Sequence, residues 1–282
     1  MRLANAGGRA CLVVDGRAVD LERRSGGKFP ADPMQALARF DELAGFGSGL
    51  RAGEGDPLLD ESALGPCVPR PQKVFGIGLN YRNHAQEARL PIPKEPLVFT
   101  KFPSCLAGPR AAVRLTSDRV DFEVELVVAI GRRGRAIPEA RAFDHVAGYC
   151  VGQDISDRRL QFAGSPPQFS LAKSADGFGP IGPALVSLDA VPYREALRLT
   201  CDVNGERMQD GSTRDMIFGV PELVAYLSRH VTLEPGDLVF TGTPAGVGSL
   251  REPRRYLAPG DVIASGIEGL GALVNRCLAP QP

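Results

Sequence analysis

The sequence predicts a mainly β protein with some α, built as a mixed β-sandwich or barrel-like core behind a small α+β N-terminal domain. Three observations lead there. Gly and Pro together supply 57 of 282 residues, about 20% against roughly 12% in average proteins, and they follow no repeat period. Such an excess means many turns. From Lys73 onward, short apolar runs recur between Gly, Pro and Asp, the spacing of strands rather than of helices. Long stretches of helical periodicity are scarce in the same region.

The elements follow in chain order. Ala10 to Leu21 alternates enough for two short strands turning at Asp15-Gly16. Asp32 to Leu43 places Met34, Leu37, Ala38 and Leu43 at helical spacing, with Asp32 as cap and Pro33 just inside it. Gly45 to Glu61 is Gly-rich and irregular, and Gly65 to Pro71 is a stiff Pro-rich connector. The boundary is therefore set at 1–68 and 69–282. Seven strands are expected beyond it: Val74–Ile77, Leu97–Thr100, Phe122–Ile130, Val146–Val151, Leu197–Val203, Leu238–Thr241 and Val262–Ile267. Pro221 to Leu227 is the best helix of this half.

Composition excludes several classes of function. Apolar residues make up 43% and charged residues 23%, too apolar for global disorder. Acids and bases cancel at 33 each, and no basic stripe marks a nucleic-acid or anionic-membrane binder. Apolar stretches such as Leu126–Ile130 fall far short of the ~18 residues of a membrane span. Met1 to Asp20 carries no secretory-signal pattern. The six cysteines stand singly, as reduced thiols of a cytoplasmic protein do.

Four segments can carry chemistry. In Asp121-Phe122-Glu123-Val124-Glu125 the two glutamates share one face of a strand, ~7 Å apart along the backbone. Paired carboxylates suit a hard cation such as Mg²⁺ or Mn²⁺, although an acidic outer face on a half-exposed strand gives the same pattern. Asp154 follows an apolar strand, where a carboxylate needs a partner or an ion. In Gly78-Leu79-Asn80-Tyr81-Arg82-Asn83-His84, a helical turn brings His84 and Glu87 to one face at i and i+3. A carboxylate beside an imidazole makes a general base, and an ordinary surface pair has the same spacing. Tyr81 breaks the G-x-G-x-x-G series begun at Gly76, which removes a dinucleotide fingerprint. Lys173 is the one lysine after residue 102 in a chain whose other late cations are arginine, a hint that a compact ammonium is wanted there. Thr241 to Gly248 is a Gly-rich loop without a P-loop ending, so its N–H groups suit a carboxylate better than a phosphate.

Taken together, these segments resemble the fumarylacetoacetate hydrolase family across nearly all of residues 73–277, in its acylpyruvate hydrolase, oxaloacetate decarboxylase and 2-hydroxyhepta-2,4-diene-1,7-dioate isomerase branch. The resemblance rests on Gly78–Tyr81 with His84 and Glu87, Phe122–Leu126, Gln153–Ser156 with Arg158 and Gln161, Lys173-Ser174 with Asp176, Val203–Glu206, Thr241–Gly248 and Ile267–Gly271. It implies a mixed β-sandwich roll, usually a homodimer, that acts on a small oxo acid. Glu123, Glu125 and Asp154 then bind one Mg²⁺ or Mn²⁺. His84 and Glu87 correspond to the base dyad, on a segment that in relatives orders over bound ligand. Lys173 is catalytic, and Tyr81, Arg158, Gln161 and Thr243 hold the substrate. One departure is Ser156-Asp157-Arg158-Arg159, where relatives carry a small residue before the arginine and an Asp after it; the swap bears on how Arg158 is oriented. The expected reaction is metal-dependent C–C hydrolysis of a 1,3-diketo acid, with decarboxylation or keto–enol isomerisation open to the same residues.

Overall fold

The computed structural model describes residues 1–280. Its strands are, in chain order, β1 (Arg2–Ala6), β2 (Arg9–Val14), β3 (Arg17–Asp20), β4 (Val74–Gly78), β5 (Leu97–Thr100), β6 (Leu106–Ala107), β7 (Val113–Arg114), β8 (Val120–Asp121) and β9 (Val124–Ile130). They continue with β10 (Val146–Gln153), β11 (Ser156–Asp157), β12 (Gly179–Ser187), β13 (Arg198–Val203), β14 (Glu206–Ser212), β15 (Leu238–Phe240), β16 (Val262–Ile267) and β17 (Gly271–Leu278). A large mixed sheet runs β3-β2-β1-β12-β10-β9-β15-β4-β5, with β6 joined to β12. A second sheet runs β14-β13-β16-β17-β7, and β8 pairs with β11 alone. The large sheet ends at β3 and β5, so it stays open and the barrel alternative is not realised.

The two sheets face each other through β9, β10 and β12 on one side and β13, β16 and β17 on the other. β9 explains the arrangement. Its seven residues are all buried, as in a strand covered on both faces. Leu126, Val128 and Ile130 enter the core between the sheets, while Val127 and Ala129 enter a second core with Leu3, Leu12, Phe29 and Leu43. The period of two thus feeds both cores from one strand. The half-exposed strand with an acidic outer face is corrected by this burial.

Residues 1–68 extend the large sheet, because β1 pairs antiparallel with β12 through Leu3 and Leu185. The expected hairpin forms as β2 and β3, turning at Asp15-Gly16. Asp32 caps its helix, accepting from Met34 N at 2.8 Å and Gln35 N at 3.1 Å. The expected helix over 32–43 breaks in two, Pro33–Leu37 and Phe40–Ser48, because Arg39 leaves helical dihedrals at φ −110°, ψ 36°. The helix expected at 221–227 covers Val220–His230. Among the described residues no helix is long and apolar enough to cross a membrane.

Candidate active site

The expected strand Phe122–Ile130 is interrupted: Glu123 lies between β8 and β9, and Glu125 lies within β9. Gln153 causes part of this, because its Oε1 accepts the Glu123 N–H at 2.9 Å, while Asp154 N donates to Glu123 O at 2.9 Å. The chain leaving β10 is thereby clamped to the chain entering β9. As a result the carboxylates of Glu123, Glu125 and Asp154, all buried, lie with ligand oxygens within 4.8 Å of one another.

Buried carboxylates need cations. Four of them gather here (Asp121, Glu123, Glu125, Asp154) against three buried cations (Lys101, Arg158, Lys173). Arg158 spans Asp121, through Nε at 2.9 Å, and Glu123, through Nη2 at 2.5 Å. Lys173 Nζ donates to Glu123, Asp154 and the Ser156 hydroxyl, each at 2.7 Å. Lys101 Nζ donates to the other Asp154 oxygen at 2.7 Å and also bonds the Lys173 carbonyl. Burial alone would raise the Glu123 carboxyl, but Lys173 and Arg158 outweigh it and hold the group at about 2. Burial likewise opposes charge on Lys173, yet Asp154 and Glu123 keep its ammonium above the usual lysine range.

Glu125 is the exception. Among the described residues its one hydrogen bond comes from Gly242 N at 2.7 Å, and no cation pairs with it. Burial, then the charges of Asp154 and Glu123, push its carboxyl well above the ordinary range. An oxygen-only cluster with one uncompensated carboxylate fits a divalent hard cation. The three residues present therefore match the expected metal, and Glu125 is where its charge is most needed.

The Gly-rich loop after β15 does bind carboxylates, but they are the protein's own. Gly242 N donates to Glu125, Gly246 N to Glu87 at 2.9 Å, and Gly248 N and Ser249 N to Asp121 at 2.7 and 3.0 Å. Gly242 sits at φ +93°, where a Cβ would lie 2.8 Å from Asn80 Cβ. Only glycine brings that N–H to Glu125. Asn80, fully buried, bonds Thr241 O at 2.7 Å and both main-chain groups of Phe218, which fixes the start of the helix Arg82–Glu87 beside the loop. Along that helix His84 Nδ1 lies 3.0 Å from Glu87 Oε2.

A cavity of about 620 Å³ joins these parts, within the usual 300–1,000 Å³ of small-molecule sites. His84, Glu123, Glu125, Asp154, Arg158, Gln161, Lys173 and Thr243 all line it. Gln161 Oε1 accepts from Arg158 Nη1 at 2.8 Å. Thr243 Oγ1 donates to Val124 O at 2.9 Å and accepts from Gln209. Tyr81 is different: it is fully buried beneath the helix, its hydroxyl has no partner among the described residues, and it does not line the cavity. The Asp157 that precedes Arg158 turns away, accepting from Thr116, Ser117 and the helix N–H groups of Arg159 and Leu160. Arg158 consequently still points at Glu123.

Sequence reasoning missed Lys101, Asp121 and Gln209. Lys101 lies one residue before the stretch in which Lys173 is solitary, and Asp121 carries no signal beyond its place two residues before Glu123.

Comparison with known proteins agrees with this geometry. Residues 73–278 match the family described as fumarylacetoacetate (FAA) hydrolase C-terminal. A mitochondrial oxaloacetate tautomerase from Bos taurus is 44% identical over 222 residues, 78% of this chain and 70% of that protein. A Mycobacterium smegmatis structure provisionally named HpcE superposes with a TM-score of 0.94 at 45% identity, covering 100% of both chains. A maleylpyruvate hydrolase from Sphingobium sp. SYK-6, in complex with manganese(II) and pyruvate, superposes with a TM-score of 0.83 at 28% identity, again over 100% of both chains. On its matched residues, its fold and its buried acidic cluster, this chain belongs to the fumarylacetoacetate hydrolase family.

Proposed function

We propose that the protein is a divalent-metal-dependent hydrolase that cleaves a C–C bond in a 1,3-diketo acid of the acylpyruvate type. One observation carries this reading: a His–Glu dyad and a three-carboxylate cluster share one cavity, with His84 lining it and Glu87 holding the imidazole at 3.0 Å. Glu123, Glu125 and Asp154 would hold Mg²⁺ or Mn²⁺. When bound, that cation supplies Lewis acidity to the α-oxo acid and steadies the negative charge of an enolate leaving group.

The chain's own residues do the rest. With a proton on Nδ1, the His84 ring donates to Glu87 and leaves Nε2 bare as an acceptor. His84 can then take a proton from water, whose oxygen attacks the distal carbonyl. Glu87 is held for this task by Gly246 N at 2.9 Å. Lys173, whose three donors serve Glu123, Asp154 and Ser156, acts on developing oxyanion charge through its field rather than through a hydrogen bond, while Arg158, Gln161 and Thr243 orient the acid. The manganese and pyruvate in the Sphingobium enzyme support the same pairing of metal and oxo acid here.

The bovine relative's name favours a second reading, keto–enol tautomerisation of oxaloacetate, which needs proton transfer but no attacking water. The first is favoured by the dyad in which Glu87 holds His84 at 3.0 Å as a base for an attacking water. The homodimer belongs to this proposal and is checked by sedimentation of purified protein. Assays of metal-stripped and Mg²⁺-restored protein on acylpyruvates and oxaloacetate test the reaction. Metal-dependent release of pyruvate and a carboxylic acid from the diketone supports hydrolysis; interconversion of oxaloacetate tautomers with no diketone cleavage replaces it.

A further inference from the structure

Gln209 belongs to β14, the edge strand of the second sheet, yet its buried side chain reaches across to the start of β9 in the large sheet. Its Oε1 accepts the Val124 N–H at 3.0 Å. Its Nε2 donates to Thr243 Oγ1 at 2.8 Å and to Pro244 O at 2.9 Å. These partners fix which way the amide faces, because a main-chain N–H can only donate and a proline carbonyl can only accept. Thr243 Oγ1 in turn donates to Val124 O at 2.9 Å. Gln209, Thr243 and Val124 therefore close a ring of three hydrogen bonds, in which side chains take both main-chain groups of Val124.

Val124 is the residue between Glu123 and Glu125, so a tilt of its peptide groups moves both carboxylates. The adjoining peptide is held in the same manner. Gln153 Oε1 accepts the Glu123 N–H at 2.9 Å, and Gln153 Nε2 donates to Ser265 Oγ at 2.8 Å. Between the end of β8 and the start of β9, two buried amides thus take main-chain donors that would otherwise be left without partners. The approach of β14 is close on either side of Gln209. A Cβ on Gly246 would lie 2.2 Å from Met208 O, and one on Gly211 would lie 2.5 Å from Pro244 Cβ. Glycine at both places lets strand and loop come near enough for the amide to reach Val124.

Resting on the metal-site reading above, we infer that Gln209 is a positioning residue. Through Val124 it sets the spacing of Glu123 and Glu125, and through Thr243 it ties that pair to the cavity wall. A glutamine that only fastened β14 to the Gly-rich loop would end on Pro244. This one also ends on the peptide between two candidate metal ligands.

The test is Mn²⁺ titration of metal-stripped protein, followed by electron paramagnetic resonance at a temperature where circular dichroism shows the variant folded. Gln209→Met keeps the length of the side chain and removes its three hydrogen bonds. Thr243→Val keeps the shape of the threonine and opens the ring while Gln209 stays in place. Gln209→Met should bind Mn²⁺ roughly 10- to 100-fold more weakly than wild type, as loss of an outer partner of a metal ligand does. Thr243→Val should weaken binding by at least about fivefold, and Thr243→Ser, which retains the hydroxyl, by less than about twofold. A structural role alone lowers the melting temperature and leaves the folded protein's affinity within about twofold of wild type; that result in Gln209→Met overturns the inference. If Gln209→Met does not fold, Thr243→Val decides by the same criterion. Variants that match a metal-binding wild type overturn this inference and leave the metal reading standing. A wild type that binds no Mn²⁺ overturns both.

Discussion

Lys101 Nζ lies 2.7 Å from Asp154 Oδ1, and Lys173 Nζ lies 2.7 Å from Asp154 Oδ2. One buried carboxylate thus receives two ammonium groups, one from behind and one from the cavity side. Lys101 also bonds the Lys173 carbonyl, so a single side chain positions both a candidate metal ligand and the candidate catalytic lysine.

Lys101→Met should therefore act twice. Removing one member of a buried ion pair typically destabilises by about 3–5 kcal/mol, which chemical denaturation will measure. Loss of an outer partner of a metal ligand typically weakens metal binding about 10–100-fold. Mn²⁺ titration followed by electron paramagnetic resonance reads that directly. Unchanged affinity in the folded variant contradicts a positioning role.

Glu125→Gln separates metal binding from folding. The amide oxygen can still accept the Gly242 N–H, and a charge crowded by Asp154 and Glu123 disappears. Metal-free protein should melt at the same temperature or higher, while Mn²⁺ affinity falls by more than about 100-fold. Strong destabilisation without metal, or retained affinity, counts against Glu125 as a ligand.

Lys173→Arg should not be tolerated. The Lys173 ammonium satisfies three acceptors at 2.7 Å, a point-charge geometry that a planar fork does not reproduce. kcat/KM should drop by at least about 100-fold. A variant with wild-type kcat/KM would make Lys173 a structural counter-ion only.

The segment that carries Arg254 and Tyr256 is closed by Asp261, which accepts from Ala258 N at 2.8 Å, Arg255 and Asn204. Burial would raise this carboxyl, but those donors outweigh it and hold it below the ordinary range. A depressed folded pKa means the contribution to stability is fully present above the unfolded value, about 3.9. It is lost as pH falls through the lower folded value. Asp261→Asn should thus be less stable than wild type at pH 7, and the gap should close below about pH 4. A gap that stays constant down to pH 2 removes Asp261 from this role.

Much of this was legible from local pattern. The strands Leu97–Thr100 and Val262–Ile267 coincide with their apolar runs, and the Asp32 cap and the His84–Glu87 turn form as the spacing requires. What escaped depends on distance in sequence. β12 begins Gly-Pro-Ile-Gly-Pro, which reads as a breaker, yet it pairs with β10 across a bulge between Tyr149 and Val151, a setting that tolerates proline. β14 is polar because it is an edge strand. Lys101 reaches Asp154 across 53 positions, a relation no local period encodes. The Gly-rich loop suits an incoming carboxylate by its N–H groups, yet in the structure those groups hold Glu125, Glu87 and Asp121, which come from segments that only the fold brings near.

The central claim is that His84 activates water beside a metal-held oxo acid, and His84→Ala tests it most directly. The measurement is kcat for acylpyruvate hydrolysis and for oxaloacetate decarboxylation, on wild type and variant, with Mn²⁺ affinity as control. General-base contributions run to about 10²–10⁴-fold, so hydrolysis should fall by that factor. Decarboxylation, which uses no attacking water, should fall less, and metal affinity should hold. Equal losses in both reactions, or a wild-type protein that cleaves no acylpyruvate, would contradict the account.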